Sequence, residues 1–97
     1  MRIRFTRKAV SDLAAIADYL HEHNPQASLR VRASILESID ILTAFPNAGR
    51  SQTTLGVRKL VTRRYNYLVY YSVDEAGSEV WVLSIKHPAR QREHDDR

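Results

Sequence analysis

The sequence predicts an α+β domain in which a helical hairpin packs on a small antiparallel sheet, in the order β-α-α-β-β-β. Three observations predict it. Apolar residues recur at helical spacing from Arg7 to Phe45, with one interruption at Asn24-Pro25. From Val57 to His87 the pattern changes to short runs rich in Val, Tyr and Trp, which is strand composition. Each half then has an apolar face to bury, and packing one on the other is the economical solution.

The first element is a short strand, because Arg2 to Phe5 alternates charged and apolar side chains. Thr6 stands where a helix N-cap belongs. In the helix that follows, to His23, Val10, Leu13, Ala14, Ala17 and Leu20 share one stripe with Ile16 beside it, and Asp12, Asp18 and Glu22 point elsewhere. Asn24 ends this helix and caps the next, whose first position suits Pro25 because its missing N–H has no partner there. The second stripe is Val31, Ile35, Leu36, Ile39 and Leu42, closing at Phe45 before Pro46. A joint this short makes the two helices an antiparallel hairpin over about residues 7–45.

Pro46 to Gly56 is loop composition, and the sheet is expected over about residues 57–87. Its runs are Val57–Thr62, Tyr65–Val73 and Val80–His87, the last two joined by a turn from Asp74 to Ser78 that carries Gly77. A strand with one solvated face should alternate cleanly. Here Tyr67, Val69 and Tyr71 lie on one face and Leu68 and Tyr70 on the other. Helices cover one face only, so the other presents tyrosine and aliphatic surface to a partner, or the strand is central with its tyrosines along the rim.

With 97 residues the chain makes one domain, followed by a basic tail over 88–97. It has no cysteine, hence no disulfide and no thiolate chemistry. The charged start MRIRFTRKAV is unlike a signal peptide, and no apolar run has membrane-spanning length, so a cytoplasmic protein is expected. The net charge is +4, but the placement says more. No acidic residue falls between Asp40 and Asp74, while Arg50, Arg58, Lys59, Arg63 and Arg64 all do. A surface of one sign attracts polyanions and acidic partners, or is simply a solvated face.

Candidate target-binding residues are therefore Arg58, Lys59, Arg63 and Arg64, with Lys86, His87, Arg90 and Arg92 at and beyond the end of the last strand. Arg58 and Lys59 are adjacent on a strand and point to opposite faces. His87 is the one histidine placed for acid–base work near neutral pH. Candidate partner-binding residues are Tyr67 and Tyr70 on the sheet and Leu13, Ile16 and Leu20 along the first helix. His21-Glu22-His23 is no metal motif, since neighbouring helical positions diverge and cannot chelate one ion. No glycine-rich phosphate loop or paired-carboxylate site occurs, and no metal or cofactor is expected.

Taken in order, these pieces resemble the ParE/RelE toxin superfamily over nearly the whole chain. They are Phe5-Thr6, Ala9, Asp12-Leu13, Ile16 and Tyr19, then Asn24-Pro25 with Ala27 and Phe45-Pro46 with Gly49-Arg50. The resemblance continues through Gly56-Val57-Arg58-Lys59-Leu60, Tyr67-Leu68-Val69-Tyr70-Tyr71, and Val82-Leu83-Ser84-Ile85 leading to His87 and Arg90. It implies the same β-α-α-β-β-β fold, and a ParD-like antitoxin that wraps the toxin with a helix and an extended segment.

The resemblance also implies one of two activities. RelE-like members cleave mRNA in the ribosome without a metal, using cations around the scissile phosphate, and Arg58, Lys59, His87 and Arg90 would have to serve here. ParE-like members inhibit DNA gyrase and stabilise plasmids through their antitoxin pairing. In the RNA-cleaving branch an arginine follows the tyrosine that matches Tyr67, and a further basic residue lies just past the last strand. Leu68 and Pro88 occupy those positions, and no tyrosine follows Tyr71. The long helical hairpin and the Asn24-Pro25 joint also look more like ParE. The expectation is a non-enzymatic gyrase inhibitor, with the ribosome-dependent endoribonuclease and an inactive family member as the alternatives.

Overall fold

The computed structural model describes residues 1–91. Strand β1 (Arg2–Phe5) leads into α1 (Arg7–His23) and α2 (Pro25–Asp40), which ends in a 3-10 turn at Ile41–Thr43. Strands β2 (Arg50–Ser51), β3 (Arg58–Val61), β4 (Leu68–Asp74) and β5 (Glu79–Lys86) follow, then the short helix α3 (Pro88–Gln91). The architecture is α+β, two helices packed on a five-stranded sheet of order β1-β5-β4-β3-β2.

Local chemistry sets the helix boundaries. Thr6 Oγ1 accepts the Ala9 N–H at 3.1 Å and donates to the Leu83 carbonyl at 3.0 Å, capping α1 and tying its start to β5. Asn24 donates its backbone N–H to Leu20 O, while its side chain accepts from Ala27 N at 3.2 Å, so one residue closes α1 and opens α2. A small serine on α2 lets the hairpin close tightly at its joined end. Buried Ser28 donates to the Ala17 carbonyl at 2.8 Å, which satisfies its hydroxyl inside the helix–helix seam.

Four details differ from the sequence-based expectation. The sheet is mixed rather than antiparallel, because β1 runs parallel to β5 with Ile3 opposite Val80 and Phe5 opposite Val82. No hairpin turn joins these two strands, so nothing forces them to run oppositely. Two residues of the supposed loop, Arg50 and Ser51, pair with Lys59 and Arg58 as an edge strand. Strand β4 starts at Leu68, since Tyr65 and Asn66 both sit at positive φ (65° and 55°) and close the β3–β4 turn. The buried stripe of α1 is Ala9, Leu13 and Ile16, with Leu20 packed beside them, while Val10 and Ala14 are exposed. Thr6 draws the first helical turn against β5, and the small Ala9 side chain is the one that fits there.

The core lies between the helices and one face of the sheet. Ile35 and Ile39 from α2 and Leu13 and Ile16 from α1 meet Tyr67, Val69, Val82 and Ile85. A second cluster joins Leu42, Tyr71 and Val80 at the far end. Val82 and Ile85 reach the same core despite opposite parity because the ladder skips a residue: Tyr70 pairs with Ser84 and Tyr71 with Val82, leaving Leu83 as a bulge.

Candidate interaction surfaces

The face of β4 turned away from the helices carries Leu68, Tyr70 and Ser72, alternating with core residues Val69 and Tyr71. The strand register lines up Arg50, Lys59, Tyr70 and Ser84 as neighbours across four strands. The next row is Val61, Leu68 and Lys86. A basic, aromatic stripe thus runs beside an apolar one, and Leu68 is only 8% exposed.

Arg58 has a different environment from that of a solvated cation. Its Nη1 donates to the Gly49 carbonyl at 2.7 Å and to Asn47 at 3.3 Å. It clamps the loop before β2, and its cross-strand partner is the buried Tyr71. The Tyr71 hydroxyl donates to Pro46 O at 2.7 Å and accepts the Gly49 N–H at 2.8 Å. Burial pushes its pKa up, partly offset by the Gly49 hydrogen bond and the Arg58 charge.

At the other end of the sheet, the His87 ring meets the Tyr67 ring edge-on at 5.3 Å. His87 Nδ1 accepts the Ala89 N–H at 3.0 Å, so this imidazole caps α3. Lys86 is half-buried, and its pKa is lowered by burial and then by the neighbouring Lys8, with Asp12 opposing. Arg90 lies in α3, and Arg92 lies outside the described residues with the rest of the tail, which is not basic as expected because Glu93, Asp95 and Asp96 balance Arg90, Arg92 and Arg97.

The partner-binding candidates separate in the same way. Tyr67, Leu13 and Ile16 are core residues, Leu20 is half-buried, and Tyr70 is the tyrosine on the outer face. Tyr67 is inside because the β3–β4 turn precedes it: Thr62, itself buried, accepts the Tyr67 N–H through Oγ1 at 3.0 Å. Arg63 and Arg64 are exposed in that turn, where they line a groove with Arg30, Glu37 and Ile41 of the second helical segment and with Tyr65. Sequence reasoning missed Arg30 and Tyr65, because the groove is assembled from segments far apart in the chain.

Among the described residues no three His, Asp or Glu side chains gather to hold a metal ion. None of their helices is long and apolar enough to cross a membrane.

Fold and surfaces are those of a small two-layer α+β domain with exposed basic and apolar patches. The sequence matches, over residues 3–92, the family described as the ParE toxin of the type II toxin–antitoxin system parDE. Putative toxin Y4kP of Sinorhizobium fredii is 31% identical over 90 residues, covering 93% of this chain and 91% of that protein. Toxin RelE2 of Caulobacter vibrioides is 32% identical, covering 92% of this chain and 97% of its own. The solved chromosomal ParDE system of P. aeruginosa contains a chain of the same fold, with a TM-score of 0.78 and 32% identity over 90% of this chain and 95% of that one. The chain belongs to the ParE toxin family of the ParE/RelE superfamily. It is a toxin of the type II toxin–antitoxin class.

Proposed function

We propose that this toxin acts in the ParE manner: it inhibits DNA gyrase by binding, breaks no bond itself, and is neutralised by a ParD-like antitoxin. The observation that carries the reading is Leu68. Where RNA-cleaving relatives are expected to carry an arginine, this chain has an apolar side chain packed between Val61 and Lys86 and only 8% exposed. The other candidate cations do not make up for it. Arg58 is occupied by two loop carbonyls, and strand alternation puts it and Lys59 on opposite faces, so the two cannot converge on one phosphate. His87 spends Nδ1 on its own helix cap. Cleavage at a phosphodiester needs an acid–base pair and a phosphate-binding cation converging within hydrogen-bond reach of one point.

An antitoxin partner is supported by the ParDE system that shares the fold. The outer sheet face, with Tyr70 between Lys59 and Ser84, is the surface proposed for it, and Leu20 on the helical hairpin is the second contact. Exposed Arg50 and half-buried Lys59 and Lys86 on this face attract an acidic antitoxin segment and speed its encounter.

The decisive experiment adds purified toxin to gyrase with relaxed plasmid, and in parallel to a reconstituted translation reaction. Supercoiling should fall while translation continues. In cells lacking the antitoxin, filamentation and the DNA-damage response should precede any loss of protein synthesis. Prompt translation arrest with codon-linked cuts in mRNA would instead establish the endoribonuclease.

A further inference from the structure

We propose that the groove between α2 and the β3–β4 turn is a second docking site, built for an acidic, extended peptide segment of a partner protein that carries an apolar anchor. The inference is independent of which macromolecule the toxin poisons.

The groove has one dominant sign. Arg30 enters from α2 and Arg63 and Arg64 from the turn, against the single carboxylate of Glu37. Among the described residues none of the three arginines makes an ion pair; the ion pairs there involve Arg2, Arg4 and Lys8 instead. Like charges held together without counterions cost energy that an incoming carboxylate would relieve, and guanidinium groups match carboxylates in two-point geometry. Beside them stand two exposed apolar groups, Tyr65 at 44% and Ile41 at 38% exposure.

The turn is held rather than loose. Thr62 Oγ1 donates to Arg64 O at 2.8 Å and accepts the Tyr67 N–H, and Ser38 Oγ on α2 accepts the Arg63 N–H at 3.2 Å. These bonds keep Tyr65 and Asn66 at positive φ, a conformation uncommon for residues other than glycine and least expected of the bulky Tyr65. The result is a rigid platform presenting Arg63, Arg64 and Tyr65 toward Arg30.

Glu37 selects a peptide over a nucleic acid. An extended peptide brings backbone N–H donors for that carboxylate and carboxylates for the arginines. A nucleic-acid strand presents phosphates along its whole length, and these would meet Glu37 as well.

The test uses the full-length toxin and a fluorescein-labelled synthetic peptide of repeating Glu-Glu-Leu, read by anisotropy. The peptide should bind, and backbone amide shifts in ¹⁵N spectra should fall on residues 30–41 and 62–67. Arg63→Glu with Arg64→Glu should weaken binding at least about tenfold, as should Arg30→Glu alone, while Arg32→Glu on the exposed surface of α2 should change it little. Tyr65→Ala should weaken it about threefold to tenfold through the lost anchor. Circular dichroism of each variant checks that the fold is kept. The proposal is overturned if Arg32→Glu costs as much as the groove reversals, which would mean general attraction to a basic protein. It is equally overturned if the peptide fails to bind, or if labelled oligothymidine binds more tightly and loses affinity on the same substitutions.

Discussion

The hydroxyl of Tyr71 accepts the backbone N–H of Gly49 at 2.8 Å, across 22 residues of chain, at a side chain with no exposed surface. The same oxygen donates to Pro46 O, and Arg58 holds the Gly49 carbonyl from the other side. One tyrosine on β4 thus fixes the loop that supplies β2. The fit leaves no room for a larger residue: a Cβ on Gly49 would lie 2.7 Å from the Tyr71 hydroxyl and 2.9 Å from Lys59 O.

Tyr71→Phe should therefore destabilise the protein by about 1–3 kcal/mol, since it strands a buried N–H and a carbonyl while barely changing apolar packing. Gly49→Ala should cost about 1–3 kcal/mol by overpacking against the tyrosine and the β3 backbone. The two substitutions share one contact, so the double variant should cost less than their sum. Urea unfolding of the four proteins checks this, and a Tyr71→Phe variant as stable as the parent would remove the role assigned to the hydroxyl.

The same residue sets a limit at high pH. Burial raises the Tyr71 pKa in the folded state, so the fold retains a proton that the unfolded chain releases from about pH 10 upward. The associated stability is fully present below the unfolded value and is lost as pH rises through the folded one. Thermal midpoints should fall above about pH 10, and Tyr71→Phe should flatten that fall. An unchanged slope in the variant would assign the alkaline transition to other groups.

Asp12 looked like an ordinary outward-facing helix carboxylate, yet Oδ2 accepts the Ile85 N–H at 3.0 Å across 73 residues. Strand β1 ends at Phe5, opposite Val82, so beyond that point the outer edge of β5 has no strand partner and is met by side chains, Thr6 Oγ1 on the Leu83 carbonyl first. Asp12 covers one of these donors and also pairs with Lys8 at 3.0 Å. Asp12→Ala should cost about 1.5–3 kcal/mol through the lost charged hydrogen bond. Asp12→Asn keeps an acceptor for Ile85 and gives up mainly an exposed ion pair, so its cost should stay under about 1 kcal/mol. Equal losses in the two variants would show that the ion pair, and not the strand edge, is what matters.

What the sequence showed and what it hid follow from how local each feature is. Thr6 and the Asn24-Pro25 joint were legible because capping is decided within four residues. The turn carrying Gly77 was legible for the same reason, although the positive φ falls on Ser78. The parallel pairing of β1, the Leu83 bulge and the role of Asp12 were not, because each depends on where distant strands end. Site residues divide likewise. Exposure of Arg63 and Arg64 follows from a turn, whereas Arg58 reads as a free cation until Asn47 and Gly49 are seen beside it. Strand alternation put Tyr67 and Tyr70 on opposite faces; which face the helices cover depends on packing that spans the whole chain.

That last division gives a direct test of the antitoxin surface. Tyr67 is a core residue against the helices, so Tyr67→Ala should destabilise the free toxin by about 3–5 kcal/mol, and any effect on antitoxin affinity would follow from that loss. Tyr70 stands on the outer face beside Lys59 and Ser84, so Tyr70→Ala should leave most of the folding stability and weaken a ParD-like antitoxin by about 1–3 kcal/mol. Calorimetry on the purified pair should also give a large negative heat-capacity change, since the antitoxin segment orders and buries apolar surface as it binds. Lys59→Ala separates anchor from steering: it should slow association more at low salt and change the dissociation rate little. If Tyr70→Ala binds antitoxin as tightly as the parent toxin, the outer sheet face is not the antitoxin surface, and the helical hairpin around Leu20 is the next place to substitute.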